Sequence, residues 1–480
     1  MDASLRDLAL RALDAAAGAG AGYADARVVR RRWETISLRN GTPSREVGED
    51  EGLGVRALVG DAWGFAASHR LEAPEADRVG RLAHDTAQAS ARHGWRAAFE
   101  PPPATVFSGA GPCDEDPFTV PLERKLELLT GCDAAMRAVA GVGAAFSDLD
   151  FLREERLLCT SAGSELHKVL TDSGGGLRAV ARAEHGVQQR SYPHLFGWHA
   201  ERGGWEVVEE MALGAHAARV AEEAAELLSA PPCPAGPATV VLDAAQVAIQ
   251  LHETIGHALE LDRVFGMEAA TAGTSYLEPG ALGTFRVGSE AVSVSVDPTL
   301  RRGIGSFFFD DDGTPARPVE LVRAGVHVDY LSGRDTAAAI GRSSSACSRA
   351  ESWNRVPLVR MTNVSLAPGD RSLEDLLADA DGGLWLETTR SWSVDDRRLQ
   401  FQFATEVARE IRGGRLGRLY RGGVYQGRAP DFWGRCDAVA DAASWRLLSV
   451  NRCFKGQPGQ LVRVSHGATP ARFREVTVGG

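Results

Sequence analysis

The segment that most constrains this chain is residues 251–260, which reads Leu-His-Glu-Thr-Ile-Gly-His-Ala-Leu-Glu. Two imidazoles and a carboxylate stand there inside an otherwise apolar run. Burying such groups is costly unless something pairs with them. A divalent metal ion is the obvious partner, because histidine nitrogens and a nearby glutamate are common parts of a metal site.

The spacing of the two histidines leaves this interpretation open. Metalloproteases with the HExxH motif place histidines i and i+4 on one helical face, with the glutamate as general base. Here the spacing is HExxxH, and on a regular helix residues i and i+5 point roughly 140° apart. Binding one ion would need a π-type turn or a local break, for which Gly256 is the easiest place. Alternatively, His252 and His257 are ordinary helix residues, one buried and one exposed.

The overall composition excludes several classes of protein. A formal net charge of −11 and a pI near 5.6 argue against a nucleic-acid partner, which would need a basic surface. No run approaches ~18 apolar residues, so we expect no membrane-spanning segment. The seven cysteines are scattered without a CxxC pair, which predicts a reducing cytoplasmic location.

The 480 residues are enough for two or three domains. A cluster of prolines and glycine at 231–237 follows a predicted long helix at 205–230 and is the best boundary in the chain. We therefore predict an α+β protein. Residues 1–230 form a mixed α/β domain ending in that helix, and residues 231–480 form a β-rich catalytic domain. In the second domain, a strand at 238–242 leads through Asp243, a predicted N-cap, into the helix that carries both histidines.

A catalytic zinc site usually has three protein ligands, so one is missing from the HExxxH segment. The candidates are acidic, imidazole or thiol side chains elsewhere in the chain: Asp262, Glu268, His327, His466 and Cys453. Cys453 follows a strand-like run and precedes a loop rich in Gly and Pro, where a thiolate could face a cleft. His466 is predicted to be a loop residue first and a substrate contact second.

Several motifs in a fixed order now indicate a family. They are Glu-Gly-Leu-Gly-Val-Arg-Ala-Leu-Val at 51–59, Ala-Trp-Gly-Phe-Ala at 62–66, the segment 251–260, Phe-Phe-Asp-Asp-Asp-Gly-Thr-Pro-Ala at 308–316, Arg-Met-Thr-Asn-Val-Ser-Leu-Ala-Pro-Gly-Asp at 360–370, and Cys-Phe-Lys-Gly-Gln-Pro-Gly-Gln at 453–460. With these motifs the chain resembles the TldD/PmbA proteins over essentially its full length. It resembles the TldD-type subunit in particular, because that subunit carries the metal motif.

The resemblance implies a metallopeptidase. Its single Zn²⁺ per active subunit would be held by His252, His257 and Cys453, with Glu253 as the general base. It also implies that unfolded or short peptides are the substrates, and that the chain forms a homodimer or a heterodimer with a PmbA/TldE-type partner. One departure is visible: Phe454 stands where the family loop usually has Gly, which leaves substrate preference open.

Four further expectations follow. The helix should be widened or broken near Gly256, and Cys453 should lie within bonding distance of the same ion. Glu260 is either a hydrogen-bond partner of a ligand or a solvated helix residue. The Asp triplet at 310–312 could hold a second metal, but the following Gly-Thr-Pro favours a turn.

Two alternatives to the metallopeptidase remain at this point. In one, Cys453 is the nucleophile of a cysteine-dependent hydrolase and is activated by a histidine. In the other, the chain is a non-catalytic regulatory or interaction subunit of a TldD/PmbA-type complex.

Overall fold

The computed structural model describes residues 3–92, 96–184 and 186–479. It confirms the predicted α+β class: helices pack on a large mixed sheet in the N-terminal half, and the C-terminal half is β-rich. Among the described residues, no helix has the length and apolar character needed to cross a membrane.

The helices of the N-terminal half are α1 (Ala3–Ala19), α2 (Ala73–Ser90), α3 (Leu122–Arg137), α4 (Glu206–Glu210) and α5 (Leu213–Ser229). Its strands are β1 (Tyr23–Arg39), β2 (Thr42–Val59), β3 (Ala62–Ser68), β4 (Val106–Ala110), β5 (Val142–Thr160), β6 (Glu165–Ala183), β7 (Gly186–Tyr192) and β8 (His199–Arg202). They form one sheet in the order β3-β2-β1-β5-β6-β4, and β7 and β8 pair with β6.

The strands of this sheet are long enough to pass through two hydrophobic cores. One end of β1 packs through Ala26 and Val28 with helices α1 and α2. Its other end packs through Ile36 and Leu38 with α3 and α5. The hairpin between β1 and β2 turns at Asn40-Gly41, and both residues have positive φ, as the sequence predicts for this dipeptide.

The prediction of one long helix at 205–230 is wrong in one respect, because the helix is broken at Ala212. This residue adopts φ 47° and ψ 43°, which separates α4 from α5. A left-handed residue interrupts the helical hydrogen-bond ladder. The Met211 carbonyl beside the break accepts a hydrogen bond from the Tyr192 hydroxyl at 3.0 Å, so a tertiary contact supports the local conformation.

The helices of the C-terminal half are α6 (Ala244–Leu251), α7 (Leu261–Val264), α8 (Arg334–Ala338), α9 (Leu373–Ala378) and α10 (Ala429–Gly434). Its strands are β9 (Gly236–Leu242), β10 (Val294–Val296), β11 (Val319–Arg323), β12 (Val326–His327), β13 (Ser348–Arg349), β14 (Leu358–Val359), β15 (Val364–Leu366), β16 (Leu384–Val394), β17 (Gln400–Arg412), β18 (Arg415–Tyr420), β19 (Val424–Arg428), β20 (Cys436–Val439), β21 (Arg446–Lys455), β22 (Gln460–Ala468) and β23 (Ala471–Val478).

The largest sheet of this half has the order β16-β9-β23-β19-β17-β18. Because β16 also pairs with β17, the pairings close into a ring through β9, β23 and β19. Helix α6 leaves this ring directly after β9. The strand pair β21 and β22 lies close to it, and both strands contact α6.

Candidate metal centre

Helix α6 begins at Asp243, as predicted, because the Asp243 carboxylate accepts a hydrogen bond from the Gln246 amide at 2.7 Å. Every residue of this helix is buried. Its two glutamines are linked through one hydroxyl, since Gln246 donates to the Tyr425 oxygen at 2.8 Å and Tyr425 donates to Gln250 at 2.9 Å. The helix is therefore held rigidly inside the core of the C-terminal half.

The helix widens into a π-turn at His252–Gly256, which confirms the predicted departure from regular geometry. The His257 amide donates to the His252 carbonyl, an i→i+5 bond that brings the two histidines onto one side. The role of Gly256 differs from the expected one. It has an ordinary helical φ of −53°, but an added Cβ would lie 2.2 Å from the Met361 sulfur. This position needs glycine for space, not for backbone freedom.

His252, His257 and Cys453 come together in three dimensions, although Cys453 lies almost two hundred residues later. One potential ligand atom from each lies within 4.8 Å of the others, and all three residues are buried. The Cys453 sulfur is 3.6 Å from His257 Nε2. A tetrahedral zinc with ordinary bond lengths would separate a nitrogen and a sulfur ligand by about 3.6 Å. The donor types and their spacing thus fit a zinc ion.

Strand β21 holds Cys453 in place. The residue pairs with Val462 of β22, just after a bulge in β21. The fully buried Arg360 guanidinium donates to the Cys453 carbonyl. Burial alone would raise the pKa of the Cys453 thiol, but His257 and Arg360 lower it to about 7. The surroundings of this sulfur therefore favour its thiolate form.

Glu253 lies at the cluster with both carboxylate oxygens engaged. One accepts from the Trp392 indole at 2.9 Å, and the other accepts from the Arg398 guanidinium at 2.8 Å. Burial alone would raise the pKa of Glu253, but His252, His257 and Arg398 hold it below its ordinary value. Sequence reasoning missed Trp392 and Arg398 as partners of Glu253, because they lie about 140 residues after it, on the β16–β17 hairpin.

Each histidine uses Nδ1 for a hydrogen bond within the protein. His257 Nδ1 lies 3.0 Å from Glu260, which is fully buried, so the solvated alternative for Glu260 is wrong. Burial alone would raise the pKa of Glu260, but Lys455, His257 and Arg263 keep it well below its ordinary value. His252 Nδ1 lies 2.7 Å from Nε2 of His466.

The prediction that His466 is a loop residue is wrong, because it is a fully buried residue of β22. Strand β22 itself was not predicted.

The other candidates for a third ligand have different partners. Asp262 accepts from Lys455 at 2.6 Å, and Glu268 accepts from the Gly456 amide at 3.1 Å. His327 packs edge-on against Tyr330.

The remaining features singled out in the sequence lie outside the cluster. The side chain of Phe454 is 52% exposed, while its neighbours Cys453 and Lys455 are buried, so Phe454 lies on the opposite face of β21 from the site. The Asp triplet is buried, with Asp310 forming a turn with Thr314. Asp311 and Asp312 pair with arginines of the N-terminal half, not with one another around an ion.

Comparison with known proteins places this geometry in a family. A model for the C-terminal domain of PmbA/TldA metallopeptidases matches residues 235–480. Models for domain 1 and the central domain of the same family match residues 24–88 and 115–230. The chain belongs to the PmbA/TldD metallopeptidase family. This membership confirms the family resemblance seen in the sequence and makes the protein a metal-dependent peptidase.

Individual PmbA/TldD relatives match over half to nearly all of their length. A metalloprotease of Methanothermobacter thermautotrophicus is 30% identical over 468 residues, which is 95% of each chain. A metalloprotease of Methanocaldococcus jannaschii is 29% identical over 93% of this chain and 94% of its own. A protein named zinc metalloprotease TldD homolog, from Saccharolobus solfataricus, is 26% identical over 51% of this chain and 52% of its own.

A solved structure has the same fold. The crystal structure of TldE from Thermococcus kodakarensis superimposes with a TM-score of 0.75 and covers 99% of this chain and 100% of its own. Its sequence is only 15% identical, so the likeness concerns the fold.

Proposed function

We propose that this metallopeptidase uses one Zn²⁺ per subunit, held by His252, His257 and Cys453, to hydrolyse amide bonds of peptides. The observation that carries the proposal is the close approach of these three buried donors, within 4.8 Å, beside the carboxylate of Glu253. A site with three protein ligands keeps a fourth position open for water or substrate. The zinc-metalloprotease name of the Saccharolobus solfataricus relative supports the choice of metal.

The roles of the residues follow from their contacts. When bound, zinc would supply a Lewis acid that polarises the scissile carbonyl and makes water a better nucleophile. Glu253 would accept the proton of the attacking water and pass it to the leaving amine. Trp392 and Arg398 occupy one lone pair on each Glu253 oxygen, which leaves others to receive the proton. These two donors also fix the direction in which the carboxylate points.

For substrates we propose unfolded or short peptides in extended form. Such chains bind through main-chain hydrogen bonds. Two residues before Cys453, at the bulge in β21, the Asn451 amide has buried nitrogen and oxygen atoms that lack a hydrogen-bond partner among the described residues. An amide offers both a donor and an acceptor, which matches a peptide group.

We propose a homodimer, or a heterodimer with a PmbA/TldE-type paralogue, and a cytoplasmic location.

Metal analysis tests the ligand set. Purified protein should contain about one zinc per chain, as a three-ligand catalytic site would hold. Cys453→Ala should lose most of this metal, whereas Cys347→Ala, at another buried cysteine, should keep it. Zinc-free wild-type protein, or unchanged zinc in Cys453→Ala, would show that the assignment is wrong.

The role of Glu253 has a separate test. Glu253→Gln preserves the shape of the side chain and removes the base, so zinc should stay bound while kcat falls by about 10²–10⁴-fold. Kinetic assays with a set of unstructured peptides, together with metal analysis, measure both quantities. Near wild-type turnover in Glu253→Gln would remove Glu253 from the role of base.

A cysteine-dependent hydrolase is the second candidate, because Cys453 and His257 also stand as a thiol and imidazole pair 3.6 Å apart. Against it, the Cys453 sulfur lies close to ligand atoms of both histidines, as one shared metal ion would require. Chelators should abolish activity, and zinc should restore it. Activity that survives a chelator but is lost on thiol alkylation would favour the cysteine mechanism. A tight complex without peptidase activity would favour a regulatory subunit.

A further inference from the structure

His466 forms the middle of a short hydrogen-bonded chain that ends at the metal cluster. Its Nδ1 lies 2.9 Å from the Val364 carbonyl oxygen, and its Nε2 lies 2.7 Å from Nδ1 of His252. The His466 ring is fully buried, and the His252 ring is only 3% exposed. Water therefore does not compete for these two contacts, and the protein alone sets their direction.

The positions of the protons follow from donor and acceptor chemistry. A carbonyl oxygen only accepts, so His466 Nδ1 carries a hydrogen and donates it to Val364. The other nitrogen of a neutral imidazole is an acceptor, so His466 Nε2 receives the N–H of His252 Nδ1. Nε2 of His252 then has a free lone pair. This is the only nitrogen of that ring that can bind a metal in this arrangement.

We propose that His466 is a positioning residue that locks His252 in the tautomer and ring orientation required for metal binding. The inference rests on the proposed function, because His252 is a ligand only there. It assigns a role to a residue outside the HExxxH motif. The two metal histidines thus have different partners: His257 is oriented by the carboxylate of Glu260, and His252 by a neutral imidazole.

The fold positions His466 beside His252 through strand β22. Val462 of β22 pairs with Cys453, and His466 stands four residues further along the same strand. One strand therefore aligns the distant thiol and supports the first histidine at the same time. The anchor of His466, Val364, belongs to β15, which packs against β22. The π-turn, β22 and β15 together define the position of His252.

The other buried histidine of this half, His327, is not linked to a metal histidine. It is also fully buried, and its ring packs edge-on against Tyr330. It serves as a matched control for removing an imidazole from the core. Replacing it tests the cost of the change in packing without touching the partner of a metal histidine.

The test compares His466→Leu, His466→Gln and His327→Leu by titrating zinc-loaded protein with a competing chelator. His466→Leu should weaken zinc binding by about 10–100-fold, the usual cost of losing the partner of a ligand. Glutamine can accept from His252 through its oxygen and donate to Val364 through its nitrogen, so His466→Gln should recover most of the affinity. His327→Leu should bind zinc like the wild type. Thermal unfolding of the metal-free proteins shows whether each variant is folded.

The outcomes distinguish the positioning role of His466 from the proposed function. Wild-type affinity in folded His466→Leu, or an equal loss in His466→Leu and His466→Gln, would overturn the positioning role and leave the proposed function intact. A similar loss in His327→Leu would also overturn it, because it would reveal a general packing effect. Failure of the wild type to bind zinc would instead overturn the proposed function.

Discussion

Glu253 illustrates how single residues at this site are constrained by partners far away in the sequence. Arg398, which donates to its carboxylate, has a φ of 60° at the tip of the β16–β17 hairpin. Left-handed backbone in a residue other than glycine is strained and persists where the surroundings enforce it. Here the same guanidinium also donates to the Ala272 carbonyl at 3.3 Å. The hairpin tip is therefore fixed over the Glu253 carboxylate.

We predict that Arg398→Gln keeps its zinc but loses activity. Without the guanidinium, the Glu253 carboxylate is held only by Trp392 and is less well oriented, so kcat/KM should fall by about 10–100-fold. Steady-state kinetics and metal analysis of the same preparation check both parts. Arg397→Gln is the control, since Arg397 is an exposed neighbour, and it should behave like the wild type. Equal kinetics in the two variants would contradict the prediction.

At the scale of secondary-structure elements, the π-turn at His252–Gly256 brings the two histidines of the site onto one side. Its widened backbone is held by side chains from other segments: Trp433 donates to the Thr254 hydroxyl at 2.9 Å, and Tyr276 donates to the Thr254 carbonyl at 3.0 Å. Met361 occupies the space beside Gly256. The turn is therefore a product of tertiary packing as much as of its own sequence.

We predict that Gly256→Ala destabilises the protein by about 1–3 kcal/mol, because the new methyl group overlaps the buried Met361 side chain. It should also weaken zinc binding. Gly256→Ala combined with Met361→Ala should be less destabilised than the sum of the two single variants, since they share one space. Gly434→Ala is the control, because a Cβ there meets nothing within 4 Å. Additive losses in thermal or denaturant unfolding would contradict this account.

The elements that could be predicted from the sequence are those that depend on a few neighbouring residues. The start of α6 at Asp243 and the turn at Asn40-Gly41 each depend on one or two residues, and both are confirmed. The departure from regular helix near Gly256 followed from the histidine spacing together with the ligand set that the family resemblance implies. By contrast, the extent of a strand depends on its partners. Strand β17 runs from Gln400 to Arg412 because β16 and β19 pair with it on its two sides.

Features created by packing were not predictable from one sequence. The break at Ala212 has no proline or glycine at that position, and strand β22 carries no clear alternating pattern. His466 and Arg398 act through contacts with residues more than a hundred positions away. Cys453 was singled out as a ligand only through the family resemblance, since its position at a strand end did not distinguish it from other cysteines.

At the scale of the whole molecule, both halves contribute to the surroundings of the site. Leu195 of the N-terminal half packs against the core of the C-terminal half. Its neighbour Phe196 stacks against Trp392, the residue that donates to Glu253, with ring centroids 6.4 Å apart. The division into domains 1–230 and 231–480 stays a prediction. The contacts nevertheless indicate that the N-terminal half helps to cover Trp392, the partner of Glu253.

Buried ion pairs connect the two halves around the Asp triplet. Arg156 of β5 pairs with Asp311 at 2.5 Å, and Arg56 of β2 pairs with Asp312 at 2.9 Å. Burial alone would raise the pKa of Asp311, but Arg156, Arg27 and Lys168 hold it well below its ordinary value. A carboxylate with a lowered pKa stabilises the folded state at neutral pH.

We predict that Asp311→Asn destabilises the protein by about 3–5 kcal/mol at pH 7, because it leaves buried arginine charges without their partner. Asp61→Asn, at the exposed pair with Arg96, should cost at most about 1 kcal/mol. The contribution of Asp311 is fully present above the unfolded pKa of about 3.9 and is lost as the pH falls from there through the lowered folded pKa. The difference in unfolding midpoint between wild type and Asp311→Asn should therefore stay constant from pH 7 to about pH 4 and shrink below it. A difference that does not shrink in acid would mean that the Asp311 charge does not stabilise the contact between the two halves.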